Sequence, residues 1–237
     1  MRLFLGLTTV FFGLIAFNSA CADNVYNDFT IGEPARPTIT SDQLAHGRQV
    51  ATANANELLH DPGDVVVGNP TGAVTLVQFI DFLCTLSEKM DPAIQALIKA
   101  NPDLRVVYKP YPLRGDVSFY AAKAALAANI QGKYLPYHIK MMAQIGDLTD
   151  EKVISIAKAL GINMPKLETD MKNKSFEVDI QKTHELATKI GIPGTPVLFF
   201  AKTTFTSDEN PNLLLYMLGS FTQAELQQAV NKILSET

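Results

Sequence analysis

Cys84 is the residue whose possible chemistry is easiest to infer from the sequence, because of where it falls among the predicted elements. A β-rich run, Val74–Ile80, ends shortly before it, and helical spacing of apolar residues runs from Ser87 to Ala100. A cysteine between a strand and a helix start lies near backbone amides that lack helical partners and near the positive end of the helix dipole. That position favours the nucleophilic thiolate and an exposed, reactive sulfur. The alternative is a buried cysteine that acts as a small hydrophobic side chain.

The first residues of the chain are typical of a secretory signal peptide. An apolar run from Leu3 to Phe17 follows Arg2 and ends in Ala20-Cys21-Ala22, an A-x-A cleavage pattern. We therefore predict that residues 1–22 are a signal peptide and that Cys84 is the one cysteine of the exported chain. In the alternative, Cys21 becomes a lipidated first residue, although Asn18 stands where a lipoprotein signal has an aliphatic residue.

Composition indicates a globular protein without an affinity for polyanions. Of the 237 residues, 47% are hydrophobic and 19% are charged, enough apolar content for a packed core. The 20 basic and 24 acidic residues give a formal net charge of -4. This balance makes nucleic acid and anionic lipid poor candidates as partners.

Residues 23–60 are predicted to form an N-terminal arm and one helix. Pro34 and Pro37 interrupt the arm, and Ser41 is a candidate cap for a helix from Asp42 to about Leu59. The apolar stripe of this helix is sparse. We expect a surface helix, with a homodimer contact through it as the alternative.

Residues 61–237 are predicted to form the main domain, of the α/β class. The run Val74–Ile80, a helix and a second strand at Leu104–Lys109 make a β-α-β half. Strands at Val197–Phe200 and Leu213–Leu218 and a last helix capped by Thr222 make a β-β-α half. A helical insertion at about 117–190 separates the halves. The predicted architecture is one central mixed sheet with an inserted helical subdomain.

The histidines do not have the spacing of metal ligands. His46, His60, His138 and His184 are scattered, and His138 on an apolar helical face is interpreted as a packing residue. The sequence has no glycine-rich phosphate loop. We therefore predict no metal and no cofactor.

The segment around Cys84 resembles the active-site strand, loop and helix start of DsbA-like thioredoxin-fold proteins, particularly the exported outer-membrane-associated Com-type branch. The matching run is Val77-Gln78-Phe79-Ile80-Asp81-Phe82-Leu83-Cys84-Thr85-Leu86-Ser87. The resemblance continues to the C-terminus through Gly68-Asn69-Pro70, Gln131-Gly132-Lys133-Tyr134 and Gly191-Ile192-Pro193-Gly194-Thr195-Pro196.

This resemblance implies a thioredoxin fold and a thiol-disulfide site. It implies a cis peptide bond between Thr195 and Pro196 that faces the cysteine and helps to bind an extended substrate chain. The implied catalytic positions are Cys84 and Ser87, and the implied substrate-binding positions are Thr195, Pro196, Thr85 and Leu86.

Two residues depart from the family pattern. Ser87 stands where the family has its second active-site cysteine, and a serine hydroxyl is too weakly acidic to expel a partner thiol from a mixed disulfide. Gln78 stands where many relatives have a buried glutamate, and an amide cannot accept a proton from a departing thiol. The sequence is therefore of the C-x-x-S type.

These departures leave three functional hypotheses. The first is a single-cysteine thiol enzyme, periplasmic or outer-membrane-associated, acting as isomerase, reductase or deglutathionylase on exported polypeptides, with small thiols such as glutathione as co-substrates. The second is a redox-inactive binding or chaperone-like module. The third is a glutathione-transferase-like protein, although in that class the serine replaces the first cysteine, which is Cys84 here.

Overall fold

The structure is a computed structural model and describes residues 40–144 and 147–236. The predicted signal peptide and the arm before residue 40 lie outside the described residues. Among the described helices, none is long and apolar enough to cross a membrane.

Five strands form one mixed sheet. They are β1 (Val65–Gly68), β2 (Val74–Ile80), β3 (Leu104–Pro110), β4 (Val197–Lys202) and β5 (Leu215–Leu218). Their order across the sheet is β1-β3-β2-β4-β5. The central pair β2 and β3 is parallel, and the other neighbouring pairs are antiparallel. This is the mixed sheet that the two predicted halves require, and the thioredoxin fold with a helical insertion is confirmed.

Nine helices in the described residues surround the sheet. The first three are α1 (Ser41–Ala53), α2 (Ala55–Leu59) and α3 (Thr85–Ala100). The insertion consists of α4 (Gly115–Ile130), α5 (Tyr134–Met142), α6 (Asp150–Ala159), α7 (Met164–Asp170) and α8 (Lys174–Ile190), and α9 (Gln223–Ser235) closes the chain. The predicted last helix begins as expected, because Thr222 and Glu225 form a capping box.

The predicted helix Asp42–Leu59 is two helices. Thr40, not Ser41, is the cap, and it forms a capping box with Gln43. The helical run breaks at Asn54, which has φ -113° and ψ 29° and whose side-chain amide donates to the carbonyl of Val50 at 2.8 Å. An asparagine that bonds to nearby backbone competes with helix continuation, which explains the break.

The sheet has a hydrophobic core on each face because its strands alternate their side chains. On β2, Leu76 and Ile80 face one core, while Val77 and Phe79 face the other. Helices α3, α4, α5 and α9 cover the first face, and α1, α2 and α8 cover the second. Strand β2 is therefore buried along its whole length.

The N-terminal helices α1 and α2 pack against the second core. Ala51, Leu58 and Leu59 are fully buried there. The approach of α1 is close: a Cβ on Gly47 would lie 2.6 Å from Cε1 of Tyr216 on β5. Helices α1 and α2 have few apolar residues, but these residues pack against the sheet of the same chain.

Two buried cations of β3 hold the end of α2. Arg105 donates to the carbonyl of Leu59 at 2.7 Å, and Lys109 donates to the carbonyl of Glu57 at 2.9 Å. Cations at the C-terminal end of a helix are favourable because of the helix dipole. Lys109 also pairs with Asp64 at 2.7 Å, and burial raises the pKa of Asp64 to about 6.

Candidate functional site

Cys84 is the N-cap residue of the helix that follows the central strand, as its position in the sequence predicts. Its backbone is extended, with φ -90° and ψ 111°. Its amide donates to the carbonyl of Asp81 at 3.0 Å, and its carbonyl accepts the amide of Glu88 at 3.0 Å. The sulfur forms no capping hydrogen bond with the helix amides.

The sulfur instead faces the start of β4. Sγ of Cys84 lies 3.1 Å from the carbonyl oxygen of Thr195, and the Thr195–Pro196 peptide bond is cis. Antiparallel pairing of β2 with β4, with Phe79 opposite Val197, puts the end of one strand beside the beginning of the other. The sheet register therefore brings together two residues that are distant in sequence.

The exposed sulfur that we predict belongs to the chain without residues 1–22, whereas the structure is of the full-length chain. Cys84 is buried, and its sulfur is disulfide-bonded. The sequence contains one other cysteine, Cys21, which lies outside the described residues. An N-cap position gives a sulfur access to the end of a helix but does not by itself expose it.

Ser87 occupies the first turn of α3, three positions after Cys84. Its side chain is fully buried, and its Oγ has no hydrogen-bond partner among the described residues. A buried hydroxyl without a partner is costly, and such a group needs an explanation. A thiol would occupy this place with less loss, because sulfur is a weak hydrogen-bond donor and acceptor.

Gln78 lies on β2 beneath this helix. It is fully buried on the face of Leu76 and Ile80, and neither its amide nitrogen nor its amide oxygen has a partner in the described part of the chain. Within residues 40–144 and 147–236, the buried side chains of Ser87 and Gln78 have no hydrogen-bond partners, and these are the two positions where the sequence departs from the family pattern.

A small groove lies next to Thr195, whose carbonyl faces the Cys84 sulfur. It is lined by Leu86 of α3, by Thr195 and Pro196, and by Val197 and Leu218 on the following strands. Three of the predicted substrate-binding residues thus share one surface. Thr85, the fourth, is exposed at the first position of α3 and is not part of the groove lining.

Asp81 was not predicted as a site residue. It is buried directly before the Cys84 turn, and its carboxylate accepts hydrogen bonds from Leu83, Leu113 and Ser118. A signal was present in the sequence, because an acidic residue at the end of a strand with no exposed side must find buried donors.

A buried hydrogen bond joins α5 to α3, the helix that begins after Cys84. Nε2 of His138 on α5 is 2.8 Å from Oδ1 of Asp91 on α3. The ring of His138 also packs against Phe82, with 5.5 Å between ring centroids, and against Tyr108. The interpretation of His138 as a packing residue was incomplete, because the partner carboxylate is distant in sequence. In residues 40–144 and 147–236, no three metal-ligating side chains gather into a possible metal site.

Two titratable groups near the site have shifted pKa values. Burial raises the pKa of Glu88, an effect that Arg114 opposes and Asp81 reinforces. Burial lowers the pKa of His184 on α8, against the opposing influence of a hydrogen bond to Pro112 and of the Asp81 charge. The negative charge of Asp81 thus acts to raise the pKa of both Glu88 on α3 and His184 on α8.

The β-α-β and β-β-α halves, with a cysteine at a helix start facing a cis-proline, define a thioredoxin-fold protein with a thiol-disulfide type of site. The family model for the DSBA-like thioredoxin domain matches residues 75–229. The chain belongs to this family.

Solved structures give the same assignment. A thioredoxin-like oxidoreductase from Silicibacter pomeroyi is 33% identical, with a TM-score of 0.69, and the match covers 78% of this chain and 99% of that one. The thiol-disulfide exchange protein alpha-DsbA2 from Wolbachia pipientis is 21% identical, with a TM-score of 0.71 over 82% of this chain and 99% of that one. The second likeness concerns the fold.

Curated relatives match over part of their length. A Na(+)/H(+) antiporter NhaA 1 from Salinispora arenicola is 29% identical over 139 residues, which are 57% of this chain and 21% of the antiporter. The chain therefore spans about a fifth of the length of the curated relatives it matches.

Proposed function

We propose that this chain is an exported thiol-disulfide exchange protein that works through Cys84 alone and forms mixed disulfides with its substrates. The observation that carries the proposal is the position of the Cys84 sulfur, 3.1 Å from the Thr195 carbonyl and beside the cis Thr195–Pro196 bond. Membership of the DSBA-like family supports the reaction class.

The proposed reaction exchanges disulfides without a resolving cysteine. The Cys84 thiolate attacks one sulfur of a substrate disulfide, the other substrate sulfur leaves as a thiolate and takes a proton from water, and a new bond joins Cys84 to the substrate. A second thiolate, from the substrate or from glutathione, then attacks the mixed disulfide. Cys84 leaves as the thiolate, so the enzyme is regenerated with no net change of its own.

Net oxidation of dithiols is expected to be poor. A well-placed internal thiol has an effective concentration of about 10⁵ M or more, which an external thiol cannot match. Ser87 supplies no such thiol, and Gln78 supplies no proton acceptor. Isomerase, reductase or deglutathionylase activity is therefore favoured over oxidase activity.

The proposed substrates are exported polypeptides that carry thiols or disulfides. The groove between Leu86 and Pro196 presents apolar side chains next to the start of a strand, a surface suited to an extended chain. Export through residues 1–22, and a periplasmic or outer-membrane-associated location, belong to the same proposal. The mass of the protein recovered from cells tests the proposed export. An N-terminus at Asp23 supports signal-peptide cleavage, whereas a lipid on Cys21 would show that the protein is a membrane-anchored lipoprotein.

The activity is tested on a scrambled-disulfide ribonuclease with reduced glutathione present. The protein carries Cys21→Ala, so that Cys84 is the one cysteine of the chain under test. We expect recovery of ribonuclease activity to accelerate, and a mixed disulfide between Cys84 and the substrate to be found by mass spectrometry. The control adds Cys84→Ser and should be inactive. Equal rates with and without the Cys84 sulfur would overturn the proposal.

A redox-inactive binding or chaperone-like module is the second candidate. It is favoured by the buried Oγ of Ser87 and the buried amide of Gln78, which have no partners among the described residues and perform no redox step. Suppression of aggregation of a reduced, unfolded protein separates the two candidates. A binding module protects equally well after Cys84→Ser, whereas the exchange enzyme loses its effect on disulfides.

Self-association through the N-terminal helix stays a proposal. One face of α1 is used inside the chain, where Gly47 lies against Tyr216. A dimer contact through α1 would therefore use its exposed residues, such as His46 and Gln49. Sedimentation of the protein with and without His46→Glu and Gln49→Glu measures this contact.

A further inference from the structure

Asp81 connects three segments around the candidate site. Its Oδ1 accepts the amide of Leu83 at 2.9 Å and the hydroxyl of Ser118 on α4 at 2.5 Å. Its Oδ2 accepts the amide of Leu113 at 2.8 Å. All three contacts donate to carboxylate oxygens, which is the arrangement that an ionised carboxylate requires. The side chain is 1% exposed, so these donors replace water around a buried charge.

The same residue forms the turn that presents Cys84. The Asp81 carbonyl accepts the amide of Cys84 at 3.0 Å while the Asp81 side chain accepts the amide of Leu83. Main chain and side chain of one residue therefore fix the two residues at the end of the loop. Leu113 and Ser118 attach that loop to the connection after β3 and to α4.

We propose that Asp81 is the positioning residue of the Cys84 site and that its buried negative charge makes the Cys84 thiolate less stable. The inference rests on the proposed function, since thiolate stability at Cys84 matters only if Cys84 exchanges disulfides. A second negative charge close to a buried carboxylate is disfavoured because little water is available to screen the two. The N-terminus of α3 acts in the opposite direction.

Other charged or titratable groups lie on the elements packed around this loop. Glu88 and Lys89 are on α3, Arg114 is at the start of α4, and His184 is on α8. None of these is among the buried residues, so water screens them more than it screens Asp81. Asp91 on α3 and His138 on α5 are buried as well, and they are hydrogen-bonded to each other. Asp81 is the buried carboxylate on the same turn as Cys84, which is why we assign the effect to it.

This arrangement has a consequence for the direction of exchange. A thiol-disulfide protein becomes strongly oxidising when its reduced form is stabilised as a thiolate. Destabilising the thiolate does the opposite and gives a sulfur that is a stronger nucleophile and a slower leaving group. Asp81 thus favours isomerising or reducing chemistry, in agreement with the absence of a thiol at Ser87.

The test is the pH dependence of Cys84 alkylation by iodoacetamide in the reduced Cys21→Ala chain. Asp81→Asn keeps the size of the side chain and removes its charge, and we expect the alkylation midpoint to fall by about one pH unit, or about tenfold more thiolate below both midpoints. Ser118→Ala removes one hydrogen bond and keeps the charge, and it should leave the midpoint unchanged. A uniform rise in rate at every pH with no change of midpoint would overturn the proposal, because it indicates loosening of the loop alone.

A second measurement needs no change at Asp81. In the same reduced chain, the ¹³C resonance of the Asp81 carboxyl should shift as Cys84 ionises, with the midpoint found by alkylation, and this step should vanish after Cys84→Ser. If the Asp81 carboxyl resonance does not shift as Cys84 ionises, the proposal is contradicted. This result holds even if the Asp81→Asn variant does not fold. Neither measurement uses a disulfide substrate, so both can succeed or fail independently of the exchange assay.

Discussion

Sγ of Cys84 lies 3.1 Å from the carbonyl oxygen of Thr195. The contact joins the N-cap of α3 to the residue before a cis-proline, and it depends on the pairing of β2 with β4. A substrate sulfur that replaces the present bond partner of Cys84 would arrive beside this carbonyl. The contact therefore places the Cys84 sulfur next to Thr195, one of the residues that line the groove.

Restoring a thiol at position 87 should convert the protein into a dithiol oxidase. Ser87→Cys, in the Cys21→Ala chain, places a second sulfur on the first turn of α3, within reach of Cys84 for a disulfide. Oxidation of a reduced model protein should appear in this variant and be nearly absent in its parent. The gain should be partial, and adding Gln78→Glu should raise the rate further because a carboxylate can accept the proton.

The matched control for this experiment is Leu86→Cys, which adds a thiol one residue earlier on the same turn. It should not give oxidase activity of comparable rate. A Ser87→Cys variant whose new thiol forms a disulfide with Cys84 yet exchanges with no dithiol would favour the binding-module candidate.

Replacing Gln78 with leucine should stabilise the fold. Both polar atoms of this amide are buried without a partner among the described residues, so the native state carries their desolvation cost. Gln78→Leu has a similar size and should raise the free energy of unfolding by about 1–2 kcal/mol, measured by urea denaturation. Gln95→Leu is the control, since the Gln95 amide donates to Asp91 and should cost stability when lost. Destabilisation by Gln78→Leu would show that water satisfies the amide.

The close approach of α1 to β5 predicts that Gly47→Ala is destabilising. The added Cβ would lie 2.6 Å from Cε1 of Tyr216, whose ring is stacked on Phe199 with 4.6 Å between centroids. Overpacking of this kind costs about 1–3 kcal/mol, which outweighs the gain of about 1 kcal/mol in helix propensity. Thermal or urea unfolding measures the change. The cost should shrink when Tyr216→Leu is also present, and a stabilised Gly47→Ala protein would argue that α1 does not pack in this place.

His184 should make the protein less stable in mild acid. Burial lowers the pKa of His184 from its ordinary value of 6.5, so the unfolded chain binds a proton at this residue more readily than the folded chain. Stability is then lost as the pH falls from about 6.5 to the folded pKa, and this residue causes no further loss at lower pH, where both states are protonated. His184→Gln should reduce this loss, measured as the urea midpoint from about pH 8 down to about pH 5. The exposed His46, changed to Gln, is the control, and an equal effect of the two substitutions would contradict the assignment.

The elements that form the site could be predicted because their signals are local. The strand Val74–Ile80 agrees with the sequence expectation at both ends, since its apolar run is bounded by turn residues. The cap at Thr222 is a pattern of four neighbouring residues, and it too is present. Cys84 lies at the strand-to-helix junction for the same reason.

The parts that the sequence did not reveal depend on distant contacts. Asp91 and His138 are buried against each other, although no local sequence pattern around either residue indicates this contact. The role of Asp81 could not be predicted because two of its hydrogen-bond donors, Leu113 and Ser118, are more than 30 positions away in sequence. The burial of Ala51 and Leu59 depends on the second face of the sheet, which a sparse helical stripe cannot indicate. The disulfide state and burial of the Cys84 sulfur likewise do not follow from its position at a helix start.

The pairing of β2 with β4 makes the distance between the Cys84 sulfur and the Thr195 carbonyl independent of the length of chain between the two residues. Helices α5 to α7 lie within that intervening chain, yet Cys84 and Thr195 are placed by the register of two central strands, with Phe79 opposite Val197. The turns between these helices can therefore be lengthened, shortened or exchanged without moving the sulfur relative to the carbonyl. In engineering terms, the turns between α5, α6 and α7 are places where a new recognition surface could be built, while Ser118 of α4 and His138 of α5 keep their contacts with Asp81 and Asp91.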